Sequence, residues 1–436
     1  MKYIINLFSK LGVDTISKLL SLITLPIITR SLGPDGYGQF VYLTIVLSYF
    51  GFFVDFGYIN YGTSEMFNRK SANEVVNSIV DLRLITALIS ILFIFIAGYF
   101  LFPDSFYVLL LIYSASFFFQ AFSIKYYYLA HQRLYYNSLS ELVSQVVFVI
   151  SILIIFIYSA TIQTLILLTL MQTLISSLML VIPYYNKYKF KFNFSLKENL
   201  VILKNSSKLG FAAKFEGLTV SFIPFLLGLL VSEEAVGIFG VPLKIFLALL
   251  AVVQGISMTL MPDIFKNFKS DIKLQKSRIG LFFYFFLTTG IVLAFIIYFG
   301  SDIIVSLFFG TKFIESVSIL KTFSITIILW SVLMFLGLII IALNRYTCYL
   351  YLTACSAILS VVLSIVLINL FGLTGAGFVL PLTAFGSIVL AFYFLSGFFK
   401  NIDYSFSKMF SFRNAFAEIK SSVFQRSVSN RNDDRN

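Results

Sequence analysis

The chain has 436 residues and a formal net charge of +12, and 59% of its residues are hydrophobic while only 12% are charged. With a mean hydropathy of +0.94, a water-soluble fold of this length could not hide so much apolar surface, so lipid must solvate most of it. The positive charge needs no nucleic-acid partner, because it gathers in loops that face anionic lipid.

A spanning helix needs about 20 apolar residues. Such stretches predict helices near 10–29, 38–62, 77–100, 106–130, 138–158 and 161–183, and, after a basic segment, near 208–231, 235–261, 279–300, 317–343, 347–370 and 374–399. The expected fold class is an all-α polytopic membrane protein of about twelve transmembrane helices. An N-terminal six-helix lobe (1–183) and a C-terminal one (208–399) flank a basic linker (184–207), and a polar tail occupies 400–436. Both termini then lie on one side. That side collects Lys2, Lys10, Arg69, Lys70, Arg133, the run from Lys187 to Lys208, the run from Lys266 to Arg278, Arg345 and the tail, whereas the other holds only Arg30, Lys312 and Lys321. Positive charge stays inside, so both termini are expected in the cytoplasm. The tail reads as a short juxtamembrane helix followed by a disordered end.

The first segment does not read as a cleaved signal, since it is long, contains Asp14 and Lys18 and lacks a small-residue cleavage site. Asp14 and Lys18 stand four residues apart, and with Ser17, Ser21 and Thr24 they make one polar stripe. The stripe suits a water-filled lumen, and equally an ion pair near the cytoplasmic end with Lys18 snorkelling. The helix closes at Pro26-Ile27-Ile28-Thr29-Arg30-Ser31-Leu32-Gly33-Pro34-Asp35-Gly36-Tyr37-Gly38, where Gly33-Pro34 breaks it and Gly36 and Gly38 permit a tight reversal. That turn also reads as a plain hairpin with no substrate contact. A shift of 199 residues lays Leu32 to Phe40 over Val231 to Phe239, the first external turn of each half. Six helices per half make such repeats parallel, related by an axis along the membrane normal.

An ionisable residue at mid-membrane costs about 2.5–3.5 kcal/mol on insertion scales. Asp55, about 26 Å beyond Gly38 on a continuous helix, is either a proton-carrying carboxylate or a partner of a neighbouring helix. Arg83 reads as an interfacial anchor or a substrate contact. Lys214 and Glu216 are about 200° apart around their helix and cannot both face one lumen. Lys244, just after Pro242, faces a cavity or snorkels. Cys348 and Cys355 lie roughly 10 Å apart along one helix, too far for a disulfide. Tyr126-Tyr127-Tyr128 and Tyr135-Tyr136 read as an interfacial aromatic belt. His131, the only histidine, falls in a predicted loop. No phosphate-binding loop, zinc-protease motif or metal-spaced Cys/His cluster occurs, so no cofactor or metal is expected.

The turn from Pro26 to Gly38, Asp55-Phe56-Gly57 beyond it and Arg69-Lys70 in the next loop resemble the polysaccharide repeat-unit flippases of the Wzx type, members of the multidrug/oligosaccharidyl-lipid/polysaccharide exporter superfamily. In the second half only the layout matches, because Ser232-Glu233-Glu234 replaces Gly-Pro-Asp. The resemblance implies a non-enzymatic flippase in the bacterial inner membrane that moves an undecaprenyl-diphosphate-linked oligosaccharide outward for O-antigen or capsule. A proton or sodium gradient would drive it, with membrane lipids, the polysaccharide polymerase and the chain-length machinery as partners. On that reading Lys18, Arg30, Arg83, Lys214 and Lys244 attract the diphosphate, and Asp14, Asp55 or Glu216 exchanges the coupling ion. Two alternatives remain at this level. A drug/cation antiporter of the same superfamily would favour carboxylates in its cavity, and a polymerase would carry a larger external loop than the stretch from Gly300 to Ser316.

Overall fold

The computed structural model describes residues 2–68, 71–156, 158–268 and 272–401. The described residues contain helices and no strand. The N-terminal lobe holds α1 (Lys2–Phe50), α2 (Tyr58–Asn68), α3 (Ala72–Leu101), α4 (Asp104–Ser114), α5 (Ser116–Ala121), α6 (Lys125–Ala130), α7 (Leu134–Ser151) and α8 (Ile162–Tyr185). The C-terminal lobe holds α9 (Leu196–Leu230), α10 (Glu233–Phe268), α11 (Ile272–Ile304), α12 (Ser316–Ala342) and α13 (Tyr346–Asn401). π-helical turns at Ile152–Phe156 and Val305–Phe309 extend α7 and α11. The tail from 402 on, with its expected helix and disordered end, lies outside the described residues, as do Arg69 and Lys70.

Two of these helices are each two passes. At 56 residues, α13 would run about 84 Å if straight, against a hydrocarbon core of about 30 Å. It folds back at Gly372 (φ 56°), so that the Ser356 and Ser387 hydroxyls meet at 2.6 Å across the hairpin. The 49-residue α1 breaks likewise at Gly33 (φ 71°), the glycine that the sequence places in the first turn; only glycine takes this left-handed backbone without steric cost. Nine described stretches are long and apolar enough to cross a membrane, Tyr346–Gly397 among them. Counting its two arms and the two halves of α1, the chain makes the twelve passes expected, and it is a multi-pass membrane protein.

Four expectations need correction. The second helix is not continuous over 38–62, because the chain leaves the helix at Gly51 and resumes it at Tyr58. Gly57 there has φ 73°, and a Cβ on it would stand 2.8 Å from the Gly210 amide nitrogen. Close backbone contact with the other lobe thus unwinds the helix around Asp55. The fourth pass is similarly broken, at Ala115 and at Phe122–Ile124. The Tyr126 to Tyr128 run is no interfacial belt. These rings are buried, packed with Tyr184 and Tyr188, and the Tyr128 hydroxyl donates to the Leu180 carbonyl at 2.6 Å. Tyr135 alone stays largely exposed. The second lobe's first helix begins at Leu196, inside the segment read as linker. Cys348 and Cys355 are both free.

Candidate functional site

The first turns of the two lobes interlock. A Cβ on Gly38 would overlap the Glu233 carbonyl oxygen, and one on Gly237 would overlap the Pro34 carbonyl oxygen. Residues 34 and 233, and 38 and 237, are partners under the 199-residue shift, so the contact is reciprocal. Each turn pushes its carbonyl into the other's glycine, a Cα–H···O approach that any larger side chain would block. Gln39 adds a hydrogen bond to Glu233, and the Arg30 guanidinium donates to the Leu307 carbonyl of the other lobe. Arg30 is therefore engaged in holding the lobes together here. From this seam α1 runs along α9, with Tyr42 against Gly228 and the Tyr49 hydroxyl 3.1 Å from that of Ser221.

Asp55 and Arg83 meet where two passes are broken. Arg83 is 3% exposed, and its guanidinium donates to Asp55 Oδ1 at 2.8 Å, to the Ser123 carbonyl at 2.7 Å and to the Gln120 carbonyl at 3.3 Å. Its charge also lies 5.4 Å from the Tyr58 ring centre and 5.9 Å from that of Tyr126. The carbonyls freed at the break between α5 and α6 thus find a donor in α3, and the same cation ties down the unwound segment before α2. This is how an interrupted helix is tolerated in lipid: protein groups satisfy the backbone. Arg83 is no interfacial anchor; its polar contacts all lie within the protein. Asp55, by contrast, keeps 54% of its side chain exposed.

Lys214 is half-buried and reaches across to the other lobe, its Nζ 5.4 Å from the Phe52 ring centre and within electrostatic reach of Asp55. Glu216 points the other way, as their angular separation requires. It lines a cavity of about 180 Å³ inside the C-terminal lobe, together with Thr219, Ser257, Thr353, Ser356 and Thr383. Glu216 is exposed, and the buried Thr383 hydroxyl has no hydrogen-bond partner among the described residues. The Thr219, Thr353 and Ser356 hydroxyls already donate to backbone carbonyls, and Trp330, Leu333, Met334 and Leu352 supply apolar walls; a carboxylate in such a space can take up a proton. Lys244 is exposed on α10, between the buried Leu243 and the half-buried Ile245. The side chains of Asp14 and Lys18 lie outside the described residues.

Two features escaped sequence reasoning. Asp81, buried, accepts hydrogen bonds from the backbone amides of Asn193 and Phe194 at 2.8 and 3.1 Å, pinning the linker to the first lobe. Its signal was a carboxylate two residues before Arg83 in an apolar helix. Ion pairs at Lys125–Glu141 and Lys321–Asp302 join elements whose pairing no local pattern reveals.

Two six-helix lobes about an axis along the membrane normal, with ionisable side chains enclosed between spanning helices, define a membrane protein of the transporter type. The profile of the family described as polysaccharide biosynthesis protein matches residues 4–268, and the chain belongs to that family. Its fold is similar to that of a multidrug resistance MATE family transporter of the MOP superfamily in an inward-facing conformation, with a TM-score of 0.73 and 14% identity over 88% of this chain and 95% of the other. It is also similar to the lipid II flippase MurJ in an inward closed conformation, with a TM-score of 0.70 and 14% identity over 95% and 98% of the two chains. A Vibrio cholerae MATE transporter gives a TM-score of 0.58 at 15% identity, covering 91% and 97%. Identities this low carry the fold alone. Among curated proteins none matches.

Proposed function

We propose that the protein flips undecaprenyl-diphosphate-linked oligosaccharide repeat units from the cytoplasmic to the outer leaflet of a bacterial inner membrane, for O-antigen or capsular polysaccharide, by ion-coupled alternating access. What supports this reading is Lys244, an accessible lysine inside a spanning helix of the second lobe, where its charge calls for water, a partner or an anion. A lysine there attracts an anionic headgroup, and its mobile point charge releases that group more readily than a bidentate guanidinium would. Lys214, poised between the lobes, is the second cation of the path. The glycine seam is the outer closure that parts when the lobes rock about their common axis. The membrane potential favours outward movement, since two negative charges leaving a negative interior gain about 4–5 kcal/mol per 100 mV. Glu216 in its hydroxyl-lined cavity is the exchangeable carboxylate for the coupling ion. Both termini are cytoplasmic, and the protein has no catalytic role.

The test is surface polysaccharide restored in a strain lacking the gene, normalised to membrane-protein level. Lys244→Gln and Lys214→Gln should each reduce export, and Arg at either position should retain more than Gln. Full complementation by the double Gln variant would sink the cationic-path reading. Reporter fusions should read cytoplasmic after Lys191 and external after Glu234; an external signal after Lys191 would invert the topology. The Glu216 cavity is also what a drug/cation antiporter needs. Proton-driven cation efflux that survives the double Gln variant would favour that second reading.

A further inference from the structure

The linker between the lobes has a pattern that the transport reading does not use. From residue 187 it runs Lys187-Tyr188-Lys189-Phe190-Lys191-Phe192-Asn193-Phe194, and residues Tyr188 to Ser195 lie outside any helix. In an extended chain alternate side chains point to opposite sides, with same-side neighbours about 6.8 Å apart. The aromatic side forms a ladder. Phe190 and Phe192 stack at 6.1 Å with an interplanar angle of 9°, and Phe192 and Phe194 at 5.9 Å and 16°. The inner end of the ladder packs into the first lobe, Phe190 touching Tyr184 and Phe122. The outer end does not: Phe192 and Phe194 are 47% and 51% exposed, and Leu196 and Leu200, which follow on the first turns of α9, are 74% and 65% exposed.

The opposite side is a row of exposed lysines, Lys187, Lys189 and Lys191, with Lys197 beyond them. Lys187 lies over the Tyr188 ring, and among the described residues no carboxylate pairs with any of these lysines. The strap is fixed in place. Asp81 holds the amides of Asn193 and Phe194, and Phe194 adopts φ 41°, a conformation that a non-glycine residue keeps only under external constraint.

We propose that this strap is a membrane-surface docking element that binds the anionic phospholipid headgroups of the leaflet on its side. Its first end emerges directly from the spanning helix α8, which closes at Tyr185, so the strap begins at headgroup depth. Exposed aromatics beside lysines are the composition that partitions there, rings below and charges among the phosphates. The row of lysines fixes the sign of the lipid. Because Asp81 belongs to the first lobe, the attachment ties that lobe to the bilayer surface and leaves the second lobe to move against it.

The test uses the full chain in nanodiscs, with Cys348→Ser and Cys355→Ser as background and an environment-sensitive fluorophore on Phe194→Cys. In discs of phosphatidylcholine mixed with phosphatidylglycerol, the label should emit at shorter wavelength and be quenched by shallow nitroxide lipids. Both effects should weaken in pure phosphatidylcholine and at high salt. Each lysine near an anionic surface contributes about fivefold to attachment. The triple variant Lys187→Gln/Lys189→Gln/Lys191→Gln should therefore lower it by about a hundredfold, with an unchanged elution profile. Water-like emission in both compositions overturns the proposal. So does lipid quenching that ignores phosphatidylglycerol and the triple variant, which would mean apolar burial without headgroup recognition. A label protected in native membranes but exposed in every disc would assign the strap to a protein partner and overturn it as well. No export measurement enters, so the proposal stands or falls apart from the flippase reading.

Discussion

The carboxylates of the two lobes meet opposite surroundings. In the first lobe Asp55 is matched to the buried Arg83, and that cation also meets two backbone carbonyls and two aromatic rings. In the second lobe Glu216 lines a small cavity together with several hydroxyls, and among the described residues no hydrogen bond reaches its carboxylate. Both are charges in apolar sequence, and from sequence both are candidates for ion exchange. A charge paired with a buried counter-charge is holding the fold; one with no charged partner is available to a ligand.

The largest effect on folding is expected at the first-lobe node. Asp55→Asn leaves the Arg83 cation buried without a counter-charge, and breaking such a pair from one side costs about 3 kcal/mol. Folded protein recovered from membranes and its thermal unfolding midpoint should both fall. Replacing both partners, Asp55→Asn with Arg83→Met, should recover part of the loss, since the orphaned charge is gone. If Asp55→Asn instead accumulates normally while gradient-driven export disappears, Asp55 is the coupling carboxylate and the contrast between the lobes is reversed.

The seam between the first turns should respond next. Alanine at Gly38 or Gly237 forces a methyl into a backbone carbonyl, and overpacking of that kind costs about 1–3 kcal/mol. That cost falls on the state in which the turns touch, so its population should drop about tenfold for each 1.4 kcal/mol. Thiol labelling from outside at Gln39→Cys, in a background lacking Cys348 and Cys355, should speed up correspondingly. Gly217→Ala is the control, because a Cβ there meets nothing within 4 Å. Labelling rates that do not distinguish Gly38→Ala from Gly217→Ala would remove the seam as a closure.

How far the sequence could be read follows the same division. Helix positions, the twelve passes and the first turn were legible because hydrophobic length and Gly-Pro punctuation are local signals. The shift of 199 residues aligned the two first turns as equivalents, but it did not disclose that they meet, or that they meet through glycine. The breaks around Asp55 and Ser123 were invisible, since each depends on a partner from another helix: Gly210 against Gly57, and Arg83 on the freed carbonyls. The tyrosines at 126–128 were misread for the same reason. Aromatic clusters look alike in sequence whether they face headgroups or, as here, Tyr184 and Leu180. The facing of Lys214 and Glu216 was readable as a difference in angle, but which of them faced the cavity required the neighbouring helices.

The smallest effect on folding, and the most telling, is expected at Glu216. Glu216 is exposed and, among the described residues, holds no element in place, so Glu216→Gln should leave stability within about 0.5 kcal/mol of the parent. Transport should respond in the opposite proportion. Gln keeps the shape and the hydrogen-bonding capacity but can neither release a proton nor neutralise a cation, so export driven by an imposed ion gradient should fall to background in proteoliposomes. Glu216→Asp keeps the charge and should retain part of the rate, with the shorter side chain farther from the Ser257 and Thr353 hydroxyls that line the same cavity. The measurement pairs flux per folded molecule with the unfolding midpoint for Glu216→Gln, Glu216→Asp and Asp55→Asn. The contrast requires two distinct outcomes: Asp55→Asn displaced along the stability axis, and Glu216→Gln along the flux axis. Should Glu216→Gln lose stability as Asp55→Asn does while its flux per folded molecule survives, the cavity is a packing feature, and the coupling carboxylate must be sought elsewhere, first at Asp14.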